Sequence, residues 1–215
     1  MVERVKLDQN KVKGRFIYHF FKRTLDIVAS ACALIILSPL FLVLAILIRH
    51  EDGGPAFYSQ ERIGKDGKPF KMYKFRSMIV NADQMVDQLE DQNEIDGAMF
   101  KIKDDPRITK IGHTIRKYSL DELPQLWNVL IGDMSLVGPR PPLPTEVEEY
   151  TDYDLQRLSV TPGCTGLWQV TKRNDADFDE MVELDIEYIN NSNFFYDLGI
   201  IFRTIGAMIH PNGAY

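Results

Sequence analysis

Only two cysteines occur in the 215 residues, Cys32 and Cys164, and they stand far apart. That count excludes a disulfide framework and leaves no thiolate cluster for a metal. The four histidines, His19, His50, His113 and His210, are scattered and form no ligand group. No repeat, Gly/Ser tract or proline-rich linker divides the chain. An excess of positive charge is missing as well. The formal net charge is −6, which argues against general nucleic-acid binding.

What the chain does have is one long apolar run, Ile27 to Ile48, without a formal charge. As a straight helix it would measure about 33 Å, close to one bilayer core. Ser38-Pro39 breaks it in the middle. Pro39 has no N–H, so the Ile35 carbonyl loses its helical partner. Ser38 can bond back to a nearby carbonyl and bend the chain further. A kinked span and a hairpin that enters and leaves on one side both fit this pattern. A signal peptide fits poorly, because the run is too long and no small-x-small site follows. A buried core helix rarely has so little polarity all round. The preceding segment 1–23 holds seven Lys and Arg against two acids, a balance of +5, and is expected on the cytoplasmic side. Lys22 and Arg23 abut the run and are expected to reach headgroups. The chain therefore divides into a basic segment 1–23, an insertion device 24–48 and a domain 49–215. That domain is long enough for one compact core.

Within the domain, Phe57–Gln60 and Phe70–Arg76 read as strands of a hairpin around a Gly64–Lys68 turn. Acidic Asp83–Asp96 reads as a solvated surface helix. Ile108–Ile115 is a short ordered segment. Helices are expected over Ser119–Ile131, stopped by Gly132, and over Glu146–Leu158, Phe178–Asn190 and Phe194–Ile209. Gly138-Pro139-Arg140-Pro141-Pro142 is rigid and extended, and Pro162-Gly163 is a turn. Leu123, Leu126, Trp127 and Leu130 form one apolar face. Phe194, Phe195, Leu198, Ile201, Phe202 and Ile205 form another. Either face suits a membrane surface or ordinary core packing.

The candidate chemistry gathers at Asp121-Glu122. Locally, Ser119 and Glu122 fit a capping box and Asp121 fits the positive end of a helix. The cations around the pair in sequence shift the reading. Lys74, Arg76, Lys103, Arg107, Arg116 and Arg140 each sit in a turn, a strand end or a Gly/Pro context. Arginine forks match phosphate oxygens. Two carboxylates among them could hold Mg²⁺ and a diphosphate together. Taken singly, any one of these arginines could equally be a surface ion pair.

Several ordered blocks now resemble a known family. They are Lys74-Phe75-Arg76-Ser77-Met78, Asp105-Pro106-Arg107-Ile108-Thr109, Arg116-Lys117-Tyr118-Ser119-Leu120-Asp121-Glu122-Leu123-Pro124-Gln125, Gly132-Asp133-Met134-Ser135-Leu136-Val137-Gly138-Pro139-Arg140-Pro141 and Pro162-Gly163-Cys164-Thr165-Gly166. Together they resemble the bacterial sugar transferases, the monotopic polyprenyl-phosphate phosphoglycosyl transferases, over about nine tenths of the chain. The chain looks like the short form, the catalytic unit without a preceding bundle of membrane helices.

The resemblance implies an α+β, mainly helical fold. It would have an N-terminal reentrant membrane helix kinked at Ser38-Pro39 and a small cytosolic catalytic domain with interfacial amphipathic helices and a short β-hairpin. It implies a monotopic protein on the cytoplasmic face of a bacterial cell membrane. The implied reaction moves a hexose-1-phosphate from a UDP-sugar to undecaprenyl phosphate and releases UMP, the first step of exopolysaccharide, capsule or other surface glycan synthesis. Asp121 would be the nucleophile and Glu122 the main carboxylate ligand of Mg²⁺, with Asp121 beside it. By matching positions Arg116 and Arg140 would bind phosphate, Lys74 and Arg76 sit in another matching block, and Gln169 is a further nucleotide or phosphate candidate, while Lys103 and Arg107 join them as substrate or phosphate candidates from the cationic set. Membrane lipids are implied partners, and a homodimer is left open. Glucose and galactose are the first guesses for the sugar, with an acetamido sugar also open. Lys172 stands where the family often has glycine, a change expected to tune sugar or nucleotide contacts.

Two other functions compete. Asp175-Ala176-Asp177 could be the D-x-D metal site of a glycosyltransferase, which would release the nucleoside diphosphate. Alternatively, the chain could be a non-catalytic membrane adaptor, which would keep its function without Asp121.

Overall fold

The computed structural model describes Leu7, Asp8, Val12 and residues 14–85, 105–172 and 176–209. Two helices open the chain, α1 (Phe16–Ile36) and α2 (Ser38–Asp52), with a 60° bend between them. The bend has the cause that the sequence predicts. Ser38 Oγ donates to the Ile35 carbonyl at 2.8 Å, the acceptor that Pro39 cannot serve. Among the described residues no single helix is long and apolar enough to cross a membrane; only this bent pair passes together.

Both feet of the bend are fastened to the rest of the protein. Asp26 on α1 accepts from Ser135 Oγ at 3.1 Å and from Leu136 N at 2.9 Å. Asp52 at the end of α2 takes both terminal nitrogens of Arg76, one at 2.6 Å. Glu51 accepts the Lys110 and Ile111 amides at 2.7 and 3.1 Å. Lys22 and Arg23 do not reach outward as expected. Lys22 Nζ bonds Asp197 at 2.9 Å and the Val137 carbonyl at 2.8 Å. Arg23 bonds the Val129 and Leu130 carbonyls at 2.6 and 2.9 Å, satisfying the end of a neighbouring helix. Partly buried cations seek fixed acceptors before they seek water.

The hairpin forms as β1 (Phe57–Ile63) and β2 (Pro69–Phe75), antiparallel, with Phe57 opposite Phe75 and Ile63 opposite Pro69. Its first strand runs three residues further than the sequence indicates. Phe75 packs with Leu44 and Ile48 of α2 and with Ile115 of α3 (Lys110–Lys117). Truncating such a side chain to alanine costs about 3–5 kcal/mol.

The helix expected over Ser119–Ile131 is split into a single 3₁₀ turn, Leu120–Glu122, and a short helix α4 (Gln125–Ile131). Pro124 cannot donate to the carbonyl four residues back, so the preceding turn stays 3₁₀. Gly132, at φ 102°, ends α4 as expected. The expected capping box is absent. Ser119 adopts a left-handed φ of 53° and its side chain makes no cap bond.

A parallel pair, β3 (Ser135–Val137) and β4 (Gly163–Thr165), was not visible in the sequence. A Cβ on Gly163 would lie 2.0 Å from the Gly138 nitrogen, so only glycine allows these segments to meet. The helix expected over Glu146–Leu158 is likewise two pieces, α5 (Pro144–Glu148) and a 3₁₀ turn (Asp154–Ser159). Next come α6 (Leu167–Thr171), α7 (Phe178–Asn191) and α8 (Phe194–Ile209), the last two as expected. Tyr188 and Ile189 of α7, Ile200 of α8, Val137 and Leu167 share one core. Of the expected acidic helix only the start is described, as a 3₁₀ turn at Ala82–Met85; the rest lies outside the described residues. The architecture is thus mainly helical, with one small antiparallel sheet beside the bent helix pair.

Candidate active site

Asp121 and Glu122 share the 3₁₀ turn between α3 and α4. The left-handed Ser119 starts that turn, and a non-glycine residue in this conformation is costly, as is common where a loop must aim a functional group. Asp121 is turned inward and only 9% exposed. Glu122 is partly exposed, and its carboxylate takes Lys74 Nζ from β2 at 2.8 Å.

Asn128 holds this frame together. Fully buried on α4, it donates to the Lys71 carbonyl at 2.7 Å and accepts the Tyr73 amide at 3.0 Å. Its amide thus acts as a neighbouring strand for β2 and fixes Lys74 relative to the turn.

The two carboxylates differ in character. Burial, then the charge of Glu122, pushes the Asp121 carboxyl up to about 6, against the pull of Lys74 and Arg116. Burial pushes Glu122 up too, but Lys74 outweighs it, with help from Arg140 and Arg62, and holds the carboxyl below its ordinary value. One acid is therefore fixed as a carboxylate, while the other can be ionised yet is weakly solvated. This split of roles between paired acids is characteristic of reactive sites.

The predicted cations separate into two groups. Arg116, at the end of α3, is half-buried, and its guanidinium has no hydrogen bond or ion pair among the described residues. Among the described residues the Arg140 guanidinium bonds Glu146 alone, at 3.2–3.3 Å. Both act on the acidic pair through their charge. Lys74 binds Glu122 directly. Arg76 and Arg107 are used differently. Arg76 is held by Asp52, by the Pro55 carbonyl at 2.6 Å and by the Met78 carbonyl at 3.0 Å. Arg107 is buried on Asp105, with contacts at 2.6 and 2.9 Å. Their guanidinium groups brace the fold. Lys103 lies outside the described residues. Gln169 on α6 bonds weakly to the Cys164 carbonyl at 3.5 Å, and its Oε1 is buried without a partner.

Arg62 on β1 escaped the sequence reading. It is 7% exposed, and its charge acts on Glu122 while Arg140 acts on it in turn. The missed signal was strand symmetry. A seven-residue second strand implies a first strand through Ile63, which places Arg62 on the sheet rather than in the turn.

Asp177, half of the D-x-D alternative, caps α7 by accepting the Glu180 amide at 2.8 Å. Its companion Asp175 lies outside the described residues. A cavity of about 500 Å³ sits elsewhere, between Lys22, Arg23, Asp26, Ser135, Thr161 and Tyr188. Lys22 and Arg23 there are already engaged by Asp197 and by main-chain carbonyls.

Two unequal carboxylates lie within the electrostatic reach of Lys74, Arg62, Arg116 and Arg140, cations of the kind that suit phosphate oxygens. Comparison with known proteins gives this arrangement a family. The sequence profile described as bacterial sugar transferase matches residues 17–211, and the chain belongs to this family of transferases. It is 50% identical over 194 residues to the galactosyl transferase CpsE of Streptococcus agalactiae serotype III, covering 90% of this chain and 43% of that protein. It is 49% identical over 200 residues to the undecaprenyl-phosphate galactose phosphotransferase of Salmonella typhimurium, covering 91% and 42%. It is 42% identical over 198 residues to the exopolysaccharide production protein ExoY of Rhizobium meliloti, covering 90% and 88%. The chain spans less than half the length of the first two relatives and nearly all of the third.

Proposed function

We propose that this protein transfers a hexose-1-phosphate from a UDP-sugar to undecaprenyl phosphate and releases UMP. The carrying observation is the asymmetry of Asp121 and Glu122. Asp121 is buried, poorly solvated and raised to about 6, beside a Glu122 that Lys74 keeps charged. A desolvated carboxylate that is still ionised at neutral pH is a competent nucleophile.

In the first step an Asp121 carboxylate oxygen attacks the sugar-bearing phosphorus. A new P–O bond forms, the diphosphate P–O bond breaks, and UMP leaves with that electron pair. A phosphate oxygen of the lipid then attacks the same phosphorus. The aspartyl P–O bond breaks, which restores the carboxylate and yields the lipid diphosphate sugar. Arg116 and Arg140 are placed to balance charge on the phosphate oxygens. Mg²⁺ fits the donor set, because this ion is commonly held by one or two carboxylates plus substrate phosphates. Glu122, with Asp121, would hold it. When bound it would neutralise diphosphate charge.

The same reading makes the bent pair a reentrant device in the cytoplasmic face of the membrane. The apolar part of each limb, residues 27–36 and 38–48, rises only about 15 Å, half of a bilayer core. Both limbs are anchored to one domain, through Asp26 at one foot and Asp52 at the other. The limbs leave Ile35, Ile36, Leu42 and Ile46 exposed, and α8 adds Phe195 and Phe202 at 81% and 70% exposure. Exposed apolar side chains in this number need a cover, and lipid provides it. The lipid phosphate would then lie at headgroup level, within reach of the site.

The test is nucleotide release by detergent-purified protein with Mg²⁺, undecaprenyl phosphate and a panel of UDP-sugars. UMP formed only when Asp121 is present supports the proposal, and the productive sugar identifies the donor. UDP formation would overturn it in favour of a D-x-D mechanism. Full biological function of Asp121→Asn in cells would favour the adaptor.

A further inference from the structure

The least explained group in the molecule is the Arg62 guanidinium. It is buried and meets only neutral acceptors: Nη1 donates to the Pro141 carbonyl at 3.2 Å and Nη2 to Gln60 Oε1 at 2.7 Å. Its Nε is buried with no hydrogen bond among the described residues. A buried charge normally carries a counter-ion. The other deeply buried guanidinium with an unpaired Nε, Arg157, has one, in Asp185, and Tyr150 besides. Arg62 has no carboxylate bonded to it among the described residues; the charge of Arg140 acts on it first, then those of Glu146 and Glu122. The chain beyond Ile63 is tied to the proline-rich stretch by the Ile63 amide on the Pro142 carbonyl at 2.9 Å, so Arg140 comes alongside. Burial and then the Arg140 charge push the Arg62 guanidinium down to about 10. Glu146 is the shared carboxylate nearby, and it is divided between Arg140 and the Leu143 amide, which donates at 2.8 Å.

We propose that Arg62 and Arg140 form a paired-guanidinium subsite that grips phosphate oxygens beside the Asp121-Glu122 turn. The idea rests on the phosphosugar-transfer reading above and adds a residue to it. Two guanidinium groups near enough for the charge of one to act on the other, with Glu146 bonded to Arg140 alone of the two and Glu122 bonded to Lys74, suit a multiply charged phosphate better than a neutral group. Arg62 Nε is the donor that has no protein acceptor among the described residues. The phosphate could belong to the UDP-sugar or to the lipid acceptor.

Two measurements on the full chain in detergent decide the matter. The first is thermal unfolding with and without inorganic pyrophosphate, in the absence of metal. Wild type should be stabilised, Arg62→Met should lose most of that shift, and Arg62→Lys should recover part of it. The second is steady-state kinetics of Arg62→Lys with UDP-galactose and undecaprenyl phosphate as probes. A rise of about tenfold in one KM, with kcat within threefold, is expected. A rise for UDP-galactose puts the subsite on the donor, and a rise for undecaprenyl phosphate puts it on the acceptor. The proposal is overturned if pyrophosphate leaves wild type unshifted, or shifts both variants as it does wild type. It is also overturned if both KM values of Arg62→Lys stay at the wild-type level. If Arg62→Met does not fold, Arg62→Lys carries both tests. If wild type releases no UMP from any sugar, the transfer reading fails and the pyrophosphate measurement still judges the subsite.

Discussion

Arg107 and Arg116 lie nine residues apart and are of the same residue type, yet the structure uses them in opposite ways. Arg107 is sealed against Asp105, and both side chains are almost inaccessible. Arg116 is half-buried beside Asp121 without a partner among the described residues. The contrast extends through the molecule. Arg76, Arg107 and Arg157 have carboxylates of their own. Arg62 and Arg116 have none, and Arg140 has a share of one. A fold pin fills its own coordination, whereas a binding residue keeps some of it open, at a cost to stability that substrate offsets.

The largest expected effect comes from the acid at the centre of the open group. Asp121→Asn should lower UMP release by about 10³-fold or more, because an amide cannot form the aspartyl intermediate. The same substitution should not weaken the fold. The Asp121 carboxyl rises from 3.8 to about 6 on folding, so the folded chain binds its proton more tightly than the unfolded chain does. Its favourable contribution is complete below about 4 and is lost as pH climbs through about 6. At pH 7.5 the ionised form therefore costs stability. Asp121→Asn should unfold about 1–3 kcal/mol later in denaturant at pH 7.5 and show little gain at pH 4. An inactive and destabilised variant would instead make Asp121 a structural acid.

Next in size are the pins. Arg107→Met leaves Asp105 buried and alone, and should cost about 3–5 kcal/mol in equilibrium unfolding. The activity of the fraction that remains folded should be near normal. A stable but inactive Arg107 variant would move this residue into the open group.

Arg116→Gln tests the other side of the comparison. Removing one charged donor near the reacting phosphate should lower kcat/KM by about 10²-fold, with the unfolding midpoint almost unchanged. It should also move the acid limb of the pH–rate profile. In wild type that limb should lie near pH 6, where Asp121 ionises. Arg116 pulls the Asp121 value down, so the variant's limb should move to higher pH. A limb that stays in place would separate Arg116 from Asp121.

The smallest effect should come from Lys74→Met. Glu122 would lose its ion pair, and because that side chain is 43% exposed the stability change should stay within about 1 kcal/mol. The Mg²⁺ dependence of turnover should change more than the fold does.

Some of this was legible in the sequence and some was not, for physical reasons. The bend was readable because proline removes a specific donor, and the carbonyl it abandons is the one Ser38 takes. The helices Phe178–Asn191 and Phe194–Ile209 follow their apolar periodicity. The hairpin was visible from its turn, but strand ends are set by pairing, and the missed end hid Arg62. The β3–β4 pair is three residues on each side and depends on Gly138 and Gly163 touching across the fold, which no local pattern reveals. Asp121-Glu122 stood out by resemblance, whereas local rules pointed to a capping box that Pro124 prevents. Sorting the arginines was beyond the sequence, because Asp52 is 24 residues from Arg76 and only the folded chain brings them together.

The central claim is that Asp121 carries the phosphosugar during turnover. The most direct measurement is the intact mass of the protein after incubation with UDP-galactose and Mg²⁺ but no lipid acceptor, with UMP and UDP quantified in the same tube. The account predicts one added hexose phosphate on wild type, located to the peptide containing Asp121, with a matching amount of UMP and neither product from Asp121→Asn. Turnover with undecaprenyl phosphate that gives UDP, or the same adduct on Asp121→Asn, would contradict it.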